Sequence, residues 1–436
     1  MIGKAILLAG FLFFLPIVCY AIEPGDINCD DANTFCASSC AFNDVQAAAD
    51  NAMASGLADT TIYIPACSPN PYSWIAGQKL ALQTDPAKVI RLIGAGRNMT
   101  RIVHFQIDVP ASTKLNLVEF GHISCDGHQV IGSLLDYRLR PETLYTELYW
   151  HHFSVTGYTA SYTLTFEGWL GVVSNMEMTC RDNGANQNAY GITVHGDGVY
   201  SDHSVDFGTR NAFFIEDSTF NSCSHSVSSF CDGYVVFRNN TIRNSDSHTD
   251  LHGPGYNYCY YNPDEKTAGG GMELYDNHFY QSQGNWVINA RAGQGHIYTN
   301  NRFDNQSYQI VLYWDSGSTI HGKACGTGAG QTCGRCGTID CDGCCQAQEK
   351  TYIWDNDGSV IEYIGGGADD CLIEDTTYFL REPTLALDGF TYTRYVYPHP
   401  LVSGTSDTNP VPPTVADTNS GSSGSGSGCF ISESRQ

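Results

Sequence analysis

The sequence is poor in charge, and poorest in positive charge. Asp, Glu, Lys and Arg make up only 16% of the 436 residues, and 22 Lys and Arg stand against 46 Asp and Glu, for a formal net charge of −24. Long solvent-facing helices draw heavily on Lys, Glu and Arg, so this composition argues against a helical fold. So few cations argue against a nucleic-acid partner and against docking on an anionic membrane. The acidic excess is compatible with cations held on carboxylates. Long apolar runs are also missing, apart from residues 5–18. That run follows Lys4 and leads to Cys19-Tyr20-Ala21, with small residues placed for cleavage, and it is short for a membrane span. Residues 1–21 therefore read as an export signal; a lipoprotein signal cleaved before Cys19 is the alternative.

The chain is rich in other things: 45 glycines, 26 tyrosines, 20 phenylalanines and 18 cysteines. That mix suits many short strands joined by turns. Cysteine at this density in an exported chain implies disulfides. The densest patch runs from Cys325 to Cys345, within a Gly-rich insertion near 323–346. Its two Cys-x-x-Cys pairs have zinc-ligand spacing, and a disulfide knot is the reading favoured by an oxidising compartment.

An internal repeat organises the middle of the chain. Aligned on Met178, Phe220, Ile242, Phe279 and Phe303, five segments share an apolar residue five positions earlier: Val173, Ile215, Phe237, Leu274 and Tyr298. Three positions before each anchor stands Asn175, Asp217, Asn239, Asp276 or Asn300, and the next residue is Met176, Ser218, Asn240, Asn277 or Asn301. Anchors at one place in successive coils stack into a core, Asn and Asp tolerate the left-handed backbone of a tight turn, and stacked Asn side chains can bond along the axis. The spacings fit one coil of a parallel β-helix, or a coil with an insertion, or two coils in the longer case. Ahead of the repeat, Asn43-Asp44 followed by the alanine-rich stretch Val45 to Ala54 predicts a capped helix. Thr60 to Ala66 and Val89 to Ile93 predict the first strands. The fold class is all-β: a right-handed parallel β-helix over residues 22–402, with an N-terminal capping helix and the Cys-rich insertion. Residues 403–436, rich in Gly and Ser, read as a disordered tail.

The segments Phe214-Ile215-Glu216-Asp217-Ser218-Thr219-Phe220, Val236-Phe237-Arg238-Asn239-Asn240-Thr241-Ile242 and Glu273-Leu274-Tyr275-Asp276-Asn277-His278-Phe279 resemble the coil motifs of bacterial right-handed β-helix proteins of the pectate-lyase-like superfamily. Asp44-Val45-Gln46-Ala47-Ala48 and Tyr397-Pro398-His399-Pro400-Leu401 are similar to the opening and closing segments of the same proteins. The resemblance implies a polysaccharide partner and an extracellular or cell-surface location. It leaves the activity open, because one fold hosts lyases, hydrolases and adhesins. The favoured reading is a polysaccharide lyase acting on an acidic glycan, for which the resemblance implies Ca²⁺ on acidic residues with an Arg or Lys base. Hydrolases of the fold use paired carboxylates, and no Asn-Thr-Asp followed by Asp-Asp is present.

Candidate residues follow. Arg238 takes the outward position between Phe237 and Asn239, with Glu216 and Tyr275 in the same position on flanking coils; Glu273 is outward one pleat earlier. Arg291, in Asn289-Ala290-Arg291-Ala292-Gly293, stands where the next strand ends. Arg238, Arg291, His252 and Glu273 are the catalytic candidates. Each has a structural alternative, Glu216 with Arg238 being readable as an exposed ion pair worth less than about 1 kcal/mol. Asp246 and Asp250, in the loop after Ile242, are the metal candidates. Tyr256, Tyr258 and Tyr275 are candidates for stacking on sugar rings. The alternative function is a non-catalytic glycan-binding, adhesive or structural surface protein. Cys429-Phe430-Ile431 resembles the C-terminal signal of some bacterial surface proteins, so a membrane enters only as an anchor through Cys429.

Overall fold

The computed structural model describes residues 22–75, 77–82, 88–108, 115–126, 129–132, 147–158, 162–181, 190–196, 206–230, 233–244, 247–251, 270–280, 286–290, 295–304, 310–313, 319–320, 323–324, 350–357, 361–364, 374–375 and 378–403. The segment read as an export signal, most of the Cys-rich insertion and the Gly/Ser tail lie outside these.

The chain is a right-handed parallel β-helix. Each full coil contributes three short strands, and each strand pairs in parallel with its counterpart one coil on. The first ribbon begins with Thr34–Cys36 and Asp59–Ile64 and continues through Lys88–Gly94, Leu115–Gly121, Glu147–Tyr158, Leu170–Arg181, Phe213–Glu216, Tyr234–Arg238, Gly271–Tyr275, Gly295–Thr299 and Thr351–Trp354 to Tyr378–Phe379. A second ribbon includes Thr219–Asn221, Thr241–Arg243, His278–Tyr280 and Arg302–Asp304. A separate 10-stranded sheet forms the third side, with Tyr190–His195, His225–Phe230, Ser247–Leu251 and Trp286–Ala290 among its strands.

The predicted anchors are the core. Ile62, Leu92, Phe120, Trp150, Val173, Ile215, Phe237, Leu274, Tyr298 and Ile353 lie in register and are buried. Cys125, Val155, Met178, Phe220, Ile242, Phe279 and Phe303 form a second stack. Val173↔Ile215 and Phe237↔Leu274 pair directly, so the two long steps of the repeat are single coils with insertions.

The turn chemistry is as the repeat predicts. Asn175, Asp217, Asn239, Asp276 and Asn300 all have φ between 52° and 59°. Next to them runs a buried asparagine ladder: Asn240 Nδ2 donates to Asn277 Oδ1 (3.2 Å), Asn277 Nδ2 to Asn301 Oδ1 (3.0 Å) and Asn301 Nδ2 to Asn356 Oδ1 (2.9 Å).

The N-terminal helix spans Phe42–Ala54 and buries Val45, Ala48, Ala49 and Ala52 at helical spacing, which covers the open first coil. Its start differs from the expected one. Asn43 and Asp44 lie inside the first turn and Ala41 is the N-cap, because Asp44 accepts a hydrogen bond from Ser39 and sits where the helix dipole favours a carboxylate. Disulfides Cys29–Cys36 and Cys40–Cys67 staple this end, and Cys180–Cys223 ties two successive coils.

Candidate functional site

Side chains that alternate away from the core form columns on the outer face of the first ribbon. Glu216, Arg238 and Tyr275 stand in one column, in register, as the repeat predicts. What the repeat does not predict is their cover. After the last coil, residues 378–403 fold back along this face as a strap. Asp388 accepts from the Tyr352 hydroxyl (3.0 Å), Arg394 reaches Asp276 (2.8 Å), Tyr397 donates to Asp217 (2.6 Å), and Leu401 and Val402 pack on the apolar patch that includes Val172.

Beneath the strap Arg238 is fully committed. Its Nε donates to Glu216 Oε2 (2.7 Å) and its Nη1 to the Tyr275 hydroxyl (3.1 Å) and the Tyr395 carbonyl (2.8 Å). Its Nη2 reaches the Val396 carbonyl (2.9 Å) and Glu216 Oε2 (2.6 Å). Glu216 Oε1 accepts the His399 backbone N–H (3.0 Å). Arg238 and Glu216 are both 0% exposed, so the exposed ion pair read from the sequence is a buried one, sealed by a segment about 180 residues away in the chain. Burial pushes the Glu216 carboxyl up, against the pull of Arg238.

Glu273 lies in the adjacent outward column and is equally buried. It accepts bonds from the Gly208 N–H (2.8 Å) and the hydroxyls of Tyr392 (2.5 Å) and Tyr234, and burial raises its pKa. The Tyr275 ring is covered by the Arg394 guanidinium at 4.8 Å, which occupies the face a sugar would stack on. The strap therefore brings Arg238, Glu273 and Tyr275 together and closes all three to a polysaccharide. Asp250 sits on the third side of the coil, in register with Ser228 and Asn289 and buried, with its carboxylate 3.7 Å from His225 Nε2. Asp246, His252, Tyr256, Tyr258 and Arg291 lie outside the described residues.

Past the end of the strap, toward the N-terminus, the same outer face carries a cluster the repeat alignment does not reach. The left-handed turn position held by Asn175 is held one coil earlier by His152 (φ 52°) and one coil before that by His122 (φ 60°). Their rings stack, with centroids 5.1 Å apart and planes 12° apart, the offset expected of one strand spacing. His151, in the outward position preceding His152, places its Nδ1 2.9 Å from the His152 Nδ1. Its Nε2 meets Glu119 Oε1 at 3.0 Å, and Glu119 Oε2 accepts from Arg91 Nε at 2.9 Å. Arg91 also pairs with Asp59. His122 Nε2 is buried with no hydrogen-bond partner among the described residues, 3.5 Å from the Glu23 carboxylate.

Burial, reinforced by the neighbouring imidazoles and Arg97, lowers the His122 pKa to about 4; burial lowers that of His152 as well. Both shifts favour the neutral ring. One nitrogen from each of His122, His151 and His152 falls within 4.8 Å of the others, and among the described residues this is the group of side chains placed to hold a metal ion. The signal was in the sequence: Phe120-Gly121-His122 and Trp150-His151-His152 continue the apolar-outward-turn pattern of the repeat, with histidine where later coils have Asn or Asp.

No protein-family model matches the sequence, and no curated protein matches it. Among solved structures, the chain is similar to the catalytic domain of a GH87 alpha-1,3-glucanase variant in complex with tetrasaccharides, at 11% identity and a TM-score of 0.33, with 83% of this chain and 70% of that chain covered. It is also similar to the Agl-KA catalytic domain, at 16% identity and a TM-score of 0.23, with 84% and 69% covered.

Proposed function

We propose that the protein is an exported, carbohydrate-active β-helix enzyme that cleaves an acidic polysaccharide laid along the outer face of the coils, by lyase-like elimination. The observation that carries this reading is the ionisable cluster Glu119, His122, His151 and His152, which is set into the outer face where the strap stops and is partly open at His152. Catalysis on a packed solenoid has to use outward side chains of adjacent coils, and these come from two successive coils. The disulfides support an extracellular site of action.

Elimination needs a group to take the proton beside the sugar carboxylate and positive charge to neutralise that carboxylate. The proton passes to the base, its electron pair becomes the carbon–carbon double bond, and the glycosidic oxygen leaves and is protonated. A neutral imidazole can accept a proton. On a chain of net charge −24, an acidic glycan also needs a cation between itself and the protein. Calcium prefers six to eight oxygens, whereas the described cluster placed to hold a metal offers three imidazoles. Of the arginines, Arg238 is sealed by the strap, and Arg291 is the one to test as base.

The test is product formation from a panel of acidic and neutral polysaccharides, with divalent cations and with EDTA, following unsaturated-uronate absorbance and reducing ends together. The expected result is absorbance that is lost in His152→Asn and Arg291→Ala. Reducing ends without absorbance would mean hydrolysis. Silence across the panel, with the protein shown to be folded, would favour the non-catalytic glycan-binding reading.

A further inference from the structure

We infer that His122, His151 and His152 bind one divalent transition-metal ion of the zinc class at the open end of the outer face. The inference rests on the geometry of these residues and not on the glycan reading.

Donor chemistry sets the class of ion. Imidazole nitrogens suit zinc and its first-row neighbours, whereas calcium and magnesium select oxygen. Metal–nitrogen bonds of about 2.0–2.1 Å in a tetrahedron put ligand nitrogens about 3.3 Å apart. The His151 and His152 Nδ1 atoms are already 2.9 Å apart, and the third donor lies within 4.8 Å, so a modest ring rotation completes the set.

Tautomers set the direction. With Glu119 accepting at 3.0 Å, His151 carries its proton on Nε2, which leaves the Nδ1 lone pair aimed at His152. A carboxylate behind a ligating histidine is the usual outer support of a metal site, and here Arg91 holds the carboxylate in turn. The Nε2 of His122 is a second sign: it is buried and makes no hydrogen bond among the described residues, with the Glu23 carboxylate 3.5 Å away, whereas a buried polar atom is ordinarily satisfied. His122 and His152 sit in the left-handed turns of consecutive coils and His151 directly precedes the second, so the backbone of the site is set before the ion arrives. Three protein ligands leave a position for water or substrate, and the Glu23 carboxylate, 3.5 Å from His122, borders it.

The experiment uses the full chain, purified without reductant and stripped with EDTA, and titrates Zn²⁺ against a chromophoric chelator. The comparison variant is His122→Asn with His152→Asn. It is chosen to fold, because Asn175, Asn239 and Asn300 hold the same turn position in later coils; thermal unfolding checks this. The wild type is expected to take up one equivalent at least about 100-fold more tightly than the double variant, and Glu119→Gln to weaken uptake roughly ten- to hundredfold. Equal uptake by wild type and double variant, or none by either, would overturn the inference and leave a hydrogen-bonded histidine pair. A bound ion without glycan cleavage leaves the inference standing and removes the proposed activity; cleavage without a bound ion does the reverse.

Discussion

At the scale of single residues, Arg238 shows how an outward position becomes an interior one. Its column and its neighbours Glu216 and Tyr275 were legible from the repeat, because strand alternation is local. Its burial was not, because the covering carbonyls of Tyr395 and Val396 come from a segment with no periodicity to align. The difference changes the expected energetics. An exposed pair would contribute under about 1 kcal/mol, whereas removing one partner of a buried pair costs about 3–5 kcal/mol. Arg238→Leu is therefore expected to lower the unfolding free energy by that larger amount in urea, and pairing it with Glu216→Leu should recover part of the loss. A loss below about 1 kcal/mol for the single variant would contradict the buried network. The same locality explains the histidines. Their turn positions fit the pattern, but it is the pairing of successive coils that brings three imidazoles together.

At the scale of elements, the asparagine ladder does what the sequence implied, and with more bonds than stacking alone requires. Asn277 accepts from the Asn240 backbone N–H (3.0 Å) and side chain (3.2 Å), and its amide donates to the Phe237 carbonyl (2.8 Å) and to Asn301 (3.0 Å). Asn277→Ala leaves buried donors and acceptors unmet on both neighbouring coils, at about 1–3 kcal/mol for each group left bare. Asn300 holds an exposed left-handed turn, and Asn300→Gly should cost little, since glycine adopts that backbone freely. Thermal melts of the two variants should separate clearly. Equal melting temperatures would mean that the ladder bears no more of the stability than the turns do. The helix start was missed at this scale because Asn43-Asp44 resemble a cap in sequence, while Ser39 supplies a competing partner.

At the scale of the whole molecule, strap docking is tied to pH through His399. Buried against Phe214 and Tyr395, and facing the positive charge of Arg238 and Arg210, its imidazole has a pKa lowered to about 3. The unfolded chain, with an ordinary histidine pKa near 6.5, takes up the proton first as pH falls. Stability is therefore complete above about pH 6.5 and is lost between there and pH 3, amounting to about 2 kcal/mol at pH 5. His122 and His152 act in the same direction. Glu216 and Glu273, raised by burial, act in the opposite one. Urea midpoints at pH 7 and pH 5 should therefore fall less in His399→Asn than in the wild type, and identical pH dependence in the two would rule this out.

The strap also gives the chain an order of assembly. The strap residues 392–403 follow in the chain the coils that they cover, so Phe213–Arg238 is synthesised well before them. Until then Phe214, Val236, Glu216 and Arg238 face water with no partner overhead, and only the finished polypeptide can cover them. A nascent chain that stalls in the last coils is thus marked by a greasy, charged stripe along its flank, where a quality-control protease or chaperone could tell it from the finished product.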